Sequence, residues 1–260
     1  LLDLMWKDYS TLNPAALKIQ QLFIKSGEKV LNDHVAYRTF NHPRLGIKSL
    51  SRHIEKYGYT AKGEYFFKEK KLYAQHFEHQ DLSLPKIFIS ELEPEQIDSF
   101  VQQEVAKMAQ QLPDSLIADE KILVCGRPWK MTHQVYSKLA ATSEYASWVS
   151  AFGFRPNHFT VNVNALTGFQ DLQSINQFIK KNGFSLNQSG GEIKGTPAEL
   201  LEQSSTMAEE VSVKFEDGNF QVPACYYEFA RRYKMADGAL YHGFIAKSAD
   251  KIFESTNRKN

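Results

Sequence analysis

The sequence predicts an α+β fold in which two βαβββ modules pair to form a metal-binding cup, with additional helices around them. Three observations carry this. The order strand, helix, three strands occurs twice. Each copy enters its first strand through a histidine, Asp33-His34 and Asn157-His158, and leaves its helix through a glycine turn, KYGYTAKG at 56–63 and KNGFSLNQ at 181–188. The first strands also present one apolar and one polar face, and the polar face needs a cavity or solvent to explain it.

The chain opens on an amphipathic helix. Leu4, Leu12, Ala15, Leu17, Ile19, Leu22 and Phe23 recur at roughly helical spacing to about Lys25, with Asn13 and Pro14 placed as N-cap and first-turn residue. Residues 33–40, DHVAYRTF, are β-branched and aromatic and end at the turn formers Asn41, His42 and Pro43, as a strand should. Ile47, Leu50, Ile54 and Tyr57 mark a helix that stops at Gly58, and strands follow over residues 59–67, 71–77 and 86–92. Residues 94–111 and 137–152 read as helices flanking a Gly126-Arg127-Pro128 turn. The second module begins with HFTVNVN at 158–164, has a helix over 168–181, and is expected to place strands at 184–187, 210–215 and 222–230. Gly190, Gly191, Gly195 and Pro197 suggest a mouth or lid loop. The expected organisation is one compact domain: an N-terminal helix (1–30), a first module (31–93), a helical connection (94–155), a second module (156–233) and a C-terminal segment (234–260). A duplicated module of this kind buries one sheet face under its helices and turns the other inward.

Composition narrows the function. Lys plus Arg is 31 and Asp plus Glu 30, for a net charge of +1, so no field recruits nucleic acid or an anionic membrane surface. No run approaches the roughly 20 apolar residues of a membrane helix. Cys125 and Cys225 lack CxxC spacing, which fits a reducing, cytoplasmic setting rather than a disulfide-stapled secreted protein. GxSxG, phosphate-binding glycine loops and HExxH are absent, and no cysteine stands beside a histidine.

Strand alternation sorts the chemistry. His34, Ala36 and Arg38 share one face; His158, Thr160, Asn162 and Asn164 share another; Tyr226, Glu228 and Ala230 share a third on the last strand. A carboxylate inside so aromatic a strand as CYYEFARR (225–232) needs a partner, because burying it unpaired costs several kcal/mol. Two histidines at equivalent places and one carboxylate make the facial set used by non-haem Fe(II) oxygenases, which leaves one side of the metal open to a chelating 2-oxo acid and dioxygen. Zinc or manganese would accept the same ligands. The first module offers no counterpart of Glu228 beyond Glu91. His42, His53, His133 and His242 have no ligand-like company, and His76 and His79 are expected at a hairpin end. Arg38 lies four residues beyond His34, roughly 13 Å along an extended strand, within reach of a substrate carboxylate. The competing reading pairs it with a structural carboxylate such as Glu91.

With DHVAYRTF, NHFTVNVN and CYYEFARR in hand, the sequence resembles the 2-oxoadipate dioxygenase/decarboxylase family, the D-2-hydroxyglutarate synthases of the vicinal oxygen chelate superfamily, in its shorter branch. The resemblance implies His34, His158 and Glu228 as metal ligands and Arg38 as the residue that binds the substrate carboxylate. It also implies Fe(II) as cofactor, O2 and a 2-oxo acid as partners, and conversion of 2-oxoadipate to 2-hydroxyglutarate and CO2 in lysine breakdown.

Overall fold

The computed structural model describes residues 1–257. Its centre is an eight-stranded sheet. In the first half, β1 (Asn32–Phe40) is followed by helix α3 (Ile47–Glu55) and strands β2 (Thr60–Phe67), β3 (Leu72–Glu78) and β4 (Lys86–Leu92). In the second, β5 (Pro156–Asn162) is followed by α8 (Leu172–Lys181), β6 (Lys194–Thr196), β7 (Leu201–Ser205) and, after an inserted hairpin, β10 (Tyr226–Arg232). Spatial order is β2-β3-β4-β1-β5-β10-β7-β6. Each half repeats one plan, with its first strand parallel to its last, and β1 joins β5 antiparallel to make the sheet continuous.

The N-terminal helix is broken in two. Helix α1 (Leu2–Leu12) stops before Asn13, whose Oδ1 accepts from the Ala16 amide to cap α2 (Pro14–Lys25). The capping amide and the following proline, which cannot donate to the preceding turn, end one helix and start the next. The connecting region contains α4 (Ser99–Gln110), α5 (Asp114–Ala118), α6 (His133–Thr142) and α7 (Glu144–Phe152). Ser143 accepts from the Ala146 amide at the start of α7.

Two expected strands of the second module are placed differently, and the third, expected over 222–230, begins only at Tyr226. Residues 184–187 contribute only an isolated bridge, Leu186 to Thr206. The strand at Glu210–Phe215 (β8) pairs with β9 (Gly218–Pro223) in a separate hairpin, so its alternating valines do not belong to the cup. The sheet strands are instead β6, inside the segment read as a glycine-rich mouth or lid, and β7, just after it. Gly195 explains the misleading signal: it holds φ +80°, and a Cβ there would lie 2.1 Å from the Leu201 carbonyl oxygen, so only glycine lets β6 close against β7.

The convex face carries the aromatic core, where Phe159, Tyr227 and Phe229 pack with Trp6 and Tyr9 of α1 and with Phe23 of α2. The concave face is covered by the C-terminal segment. Helix α9 (Ala246–Ile252) touches β2, β6 and β7, and β2 and β6 are the two edge strands, so the sheet curls far enough for one short helix to bridge its rims. A tight turn, Phe253–Thr256, continues that cover.

Candidate metal centre

Cross-strand register sets the centre. His34 on β1 stands opposite Thr160 on β5, and Thr160 stands beside Glu228 on β10; in the next row Ala36, His158 and Tyr226 align. Residues opposite one another share a face. His34 and Glu228 therefore flank Thr160, with His158 one row away, although they come from strands far apart in the chain. Their ligand atoms all lie within 4.8 Å of one another, and the side chains are buried, at 2% exposure for His34, 4% for His158 and 1% for Glu228. The same register shows which first-module residue corresponds to Glu228. Ala36 aligns with Phe88 as Thr160 aligns with Glu228, so the counterpart is Phe88, not Glu91.

The residue before each histidine orients it. Asp33 Oδ1 lies 2.8 Å from His34 Nδ1, and Asn157 Oδ1 lies 2.9 Å from His158 Nδ1. A carboxylate and an amide oxygen only accept, so each Nδ1 carries a proton, and the neutral imidazole then has its lone pair on Nε2, the tautomer a metal ligand needs. Thr160 Oγ1 lies 3.0 Å from His34 Nε2 and can donate to that lone pair. Asp33 escapes strict strand alternation because the β1–β5 register breaks between Asn32 and His34. Its carboxylate is gripped twice by Arg232, Nε to Oδ2 at 2.7 Å and Nη2 to Oδ1 at 2.9 Å. Burial works to raise the Asp33 carboxyl, but Arg232 and His34 outweigh it and hold it well below the ordinary range.

The electrostatics call for a cation. His158 Nε2 faces Glu228 Oε2 at 3.3 Å, and His34 Nε2 faces Glu228 Oε1 at 3.6 Å. Burial, with help from His34 and Arg38, pushes the His158 imidazole well below its usual protonation range. Burial raises the Glu228 carboxyl against the opposing pull of His34 and Gln203. Gln203 Nε2 donates to Oε1 at 2.6 Å, but Oε2 has no hydrogen-bond donor. Two lone pairs and an orphaned carboxylate oxygen converge on one point, an arrangement that costs free energy until a positive ion stands between them. The donor set fits a divalent metal of the nitrogen- and oxygen-preferring kind.

Arg38 does not pair with Glu91, the structural carboxylate weighed from the sequence. Its Nη1 donates to Glu144 Oε1 at 2.9 Å, its Nη2 lies 3.4 Å from the Phe253 carbonyl, and Tyr145, Trp148 and Phe253 surround the guanidinium at 5.1–5.4 Å. Glu91 instead accepts from the Ile47 amide at the start of α3. Arg38 Nε and the Tyr226 hydroxyl, on the strand that carries Glu228, are both buried without a hydrogen bond of good geometry, although the hydroxyl lies near enough to the guanidinium to interact with it. Tyr226 stacks on His158, ring centres 4.5 Å apart. Asn164 has left the strand for the turn after β5, where it binds the backbone of Arg232.

His76 is buried on β3 beside Phe88, with Tyr65 and Phe244 against its ring, not at a hairpin surface. Burial lowers its protonation to about pH 4, partly opposed by Glu78. An imidazole whose folded value lies below its unfolded value, about 6.5, stabilises the protein fully above that pH and loses the contribution as pH falls through the folded value. We expect the urea midpoint to fall more steeply between pH 6.5 and pH 4 in the wild type than in His76→Gln; equal slopes would contradict this placement.

The model of the 2-oxoadipate dioxygenase/decarboxylase family matches residues 1–124 and 126–238. The chain belongs to this family. An Arabidopsis thaliana relative named 2-oxoadipate dioxygenase/decarboxylase, chloroplastic, is 34% identical over 95% of this chain and 74% of its own. The solved structure of the Oryza sativa hydroxyglutarate synthase in complex with 2-oxoadipate superposes with a TM-score of 0.93 at 32% identity, covering 99% of this chain and 91% of that one. A Shewanella frigidimarina NCIMB 400 protein, named a candidate hydrolase, superposes at 0.90 with 46% identity, covering 94% and 96%. The family and the paired-module fold expected from the sequence are both borne out. Among the described residues no helix is long and apolar enough to cross a membrane.

Sequence reasoning missed Arg232, Gln203 and the partner of Arg38. It placed Asp33 and Asn157 side by side in the repeat without giving them a role. The repeated acceptor-His pair was the available signal, since an oxygen acceptor next to each histidine is what fixes a ligand tautomer.

Proposed function

We propose that this protein is an Fe(II)-dependent dioxygenase that oxidatively decarboxylates and hydroxylates a 2-oxo acid, 2-oxoadipate to 2-hydroxyglutarate and CO2, a step of lysine breakdown. The observation that carries the reading is the buried convergence of His34 Nε2, His158 Nε2 and the unpartnered Glu228 Oε2 in a chain of this family. Those three side chains would hold the metal, with Zn or Mn as alternatives to Fe(II) in purified protein. Bound Fe(II) would supply coordination for a chelating 2-oxo acid and for O2.

The chain's own residues supply the rest. Asp33 and Asn157 hold the imidazoles in the ligand tautomer, and Arg232 holds Asp33. Arg38 offers a fixed guanidinium, with its Nε donor free, to a substrate carboxylate. Phe244, whose ring stands 4.8 Å from His34, and the turn after α9 keep water from the centre. Low local dielectric strengthens each charge contact there.

Anaerobic loading with Fe(II), followed by O2 and 2-oxoadipate, should consume O2 and release CO2; no turnover across a panel of 2-oxo acids would remove this reading. A second reading is a hydrolase, isomerase or lyase in which the metal acts only as a Lewis acid, and of these the Shewanella name supports the hydrolase. Activity with zinc and no need for O2 would favour it. Ligand binding that survives His34→Ala in metal-free protein would favour a non-catalytic binding role. Arg38→Lys should retain the metal but lower kcat/KM for the 2-oxo acid by about 10–100-fold, because an ammonium cannot reproduce the guanidinium fork. Metal analysis paired with steady-state kinetics checks it, and unchanged kcat/KM would take Arg38 out of the site.

A further inference from the structure

The metal cluster and Arg38 are buried, so a charged substrate reaches them only when part of the wall opens. Arg38 marks a place where that wall meets the surface. Its Nη1 donates to Glu144 Oε1 at 2.9 Å, and while the arginine side chain is 1% exposed, the glutamate side chain is 24% exposed. Glu144 is the first residue of α7, held there by the Ser143 cap. It lines two outer cavities of about 290 Å³ each, one shared with Lys70, Ser143 and Glu254 and the other with Ser147, Trp148 and Thr256.

The same carboxylate oxygen holds the C-terminal cover. Thr256 Oγ1, in the turn that follows α9, also donates to Glu144 Oε1. Arg38 Nη2 lies 3.4 Å from the Phe253 carbonyl of that turn, and the Phe253 ring stands against the guanidinium. One oxygen therefore joins β1, α7 and the cover. A guanidinium is planar with its donors in a fixed fork, so an acceptor on Nη1 sets the plane and aims the Nε edge, the edge that makes no hydrogen bond of good geometry. The tie to the cover is also cheap to release. A hydroxyl has one proton, and Thr256 has the Phe253 carbonyl 3.2 Å away as a second acceptor, while Glu144 Oε1 would keep Arg38.

We propose that Glu144 is a positioning residue with two linked roles: it aims the Arg38 guanidinium into the cup and, by taking Thr256 on the same oxygen, ties that aim to closure of the C-terminal cover. A ligand that engages Arg38 from inside then favours the closed cover, and closure favours the ligand by the same factor, as linkage requires. The choice of ligand rests on the 2-oxo acid reading above; the latch itself does not.

Metal-loaded protein kept free of O2 separates binding from turnover. Calorimetry reads the Kd of 2-oxoadipate, and hydrogen exchange over residues 246–256 reads opening of the cover with and without it. In wild type the ligand should slow that exchange. Glu144→Ala should keep its metal, bind 2-oxoadipate about 10–100-fold more weakly, exchange faster without ligand, and lose most of the slowing at saturating ligand. Glu144→Asp should recover part of the affinity. Thr256→Val, which leaves the Arg38 pair in place, should speed ligand-free exchange and weaken binding less than Glu144→Ala, and should add nothing to it in the double variant. Unchanged affinity and unchanged ligand protection in Glu144→Ala overturn the proposal, as do fully additive losses in the double variant. If Glu144→Ala does not fold, Thr256→Val decides alone, and wild-type exchange and affinity in it overturn the proposal. A wild type that binds no 2-oxo acid defeats the 2-oxo acid reading alone; ligand-free exchange then decides the latch, and equal rates in wild type and Glu144→Ala overturn it.

Discussion

Glu228→Gln is expected to fold as well as the wild type and to lose its metal. The carboxylate is the only anionic group in the cluster, and a neutral amide of the same shape offers neither its charge nor its basic oxygen. We expect metal affinity to fall by more than the roughly 10–100-fold typical of losing an outer partner, with turnover falling alongside it. The metal-free protein should behave in the opposite sense. Burial raises the Glu228 carboxyl, so its folded value lies above the unfolded one. Such a group favours the fold below its unfolded value and disfavours it as pH rises through the folded value. At neutral pH the variant therefore removes a destabilising charge, and its melting temperature in chelator should equal or exceed that of the wild type. Calorimetric metal titration and thermal unfolding in chelator report the two halves separately. Undiminished metal affinity would take Glu228 out of the cluster, whereas a large drop in metal-free stability would make it a structural residue.

Arg232→Met should be the most destabilising single change near the site. The guanidinium is 4% exposed and satisfies both Asp33 oxygens and the carbonyls of Tyr241 and Gly243. Removing it strands a buried carboxylate directly behind His34. Breaking a buried pair from one side costs about 3–5 kcal/mol, and the loss of the grip on Asp33 should also weaken metal binding. Adding Asp33→Asn removes the stranded charge, so the double variant should recover part of the lost stability while metal binding stays impaired. Urea denaturation of the four proteins of this cycle measures the coupling. A loss under about 1 kcal/mol for Arg232→Met, the scale of an ordinary surface change, would show that solvent or another group compensates Asp33.

How far the site could be read from sequence depended on whether its signal was local. Period-two alternation in DHVAYRTF and HFTVNVN put His34 and His158 on defined faces, and repetition of the pattern placed them in equivalent strands, because strand geometry fixes side-chain direction residue by residue. Glu228 was legible as a charge in an aromatic strand. The second-module strands were not, because Gly190, Gly191, Gly195 and Pro197 read as loop while the alternation of β8 read as core. Gly195 is required by a close approach to Leu201, a partner that local pattern does not name. Hairpin β8–β9 has an amphipathic pattern because it packs elsewhere, with Phe215 and Phe220 against His133 of α6.

The sequence by itself determined the composition class, the duplicated module, the faces of the first strands and the residue types of the cluster, since these follow from backbone periodicity and side-chain chemistry. Tertiary structure alone decided which groups meet. Arg232 reaches Asp33 across 199 positions, and Gln203 reaches Glu228 across 25. Arg38 finds Glu144 in place of Glu91, the C-terminal segment covers the concave face, and Lys194 is buried with its ammonium on the Asn187 carbonyl. The physical reason is one of range: periodicity specifies where a side chain points within its own strand, whereas pairing depends on strand order, register and the curl that brings the two rims of the sheet under one helix.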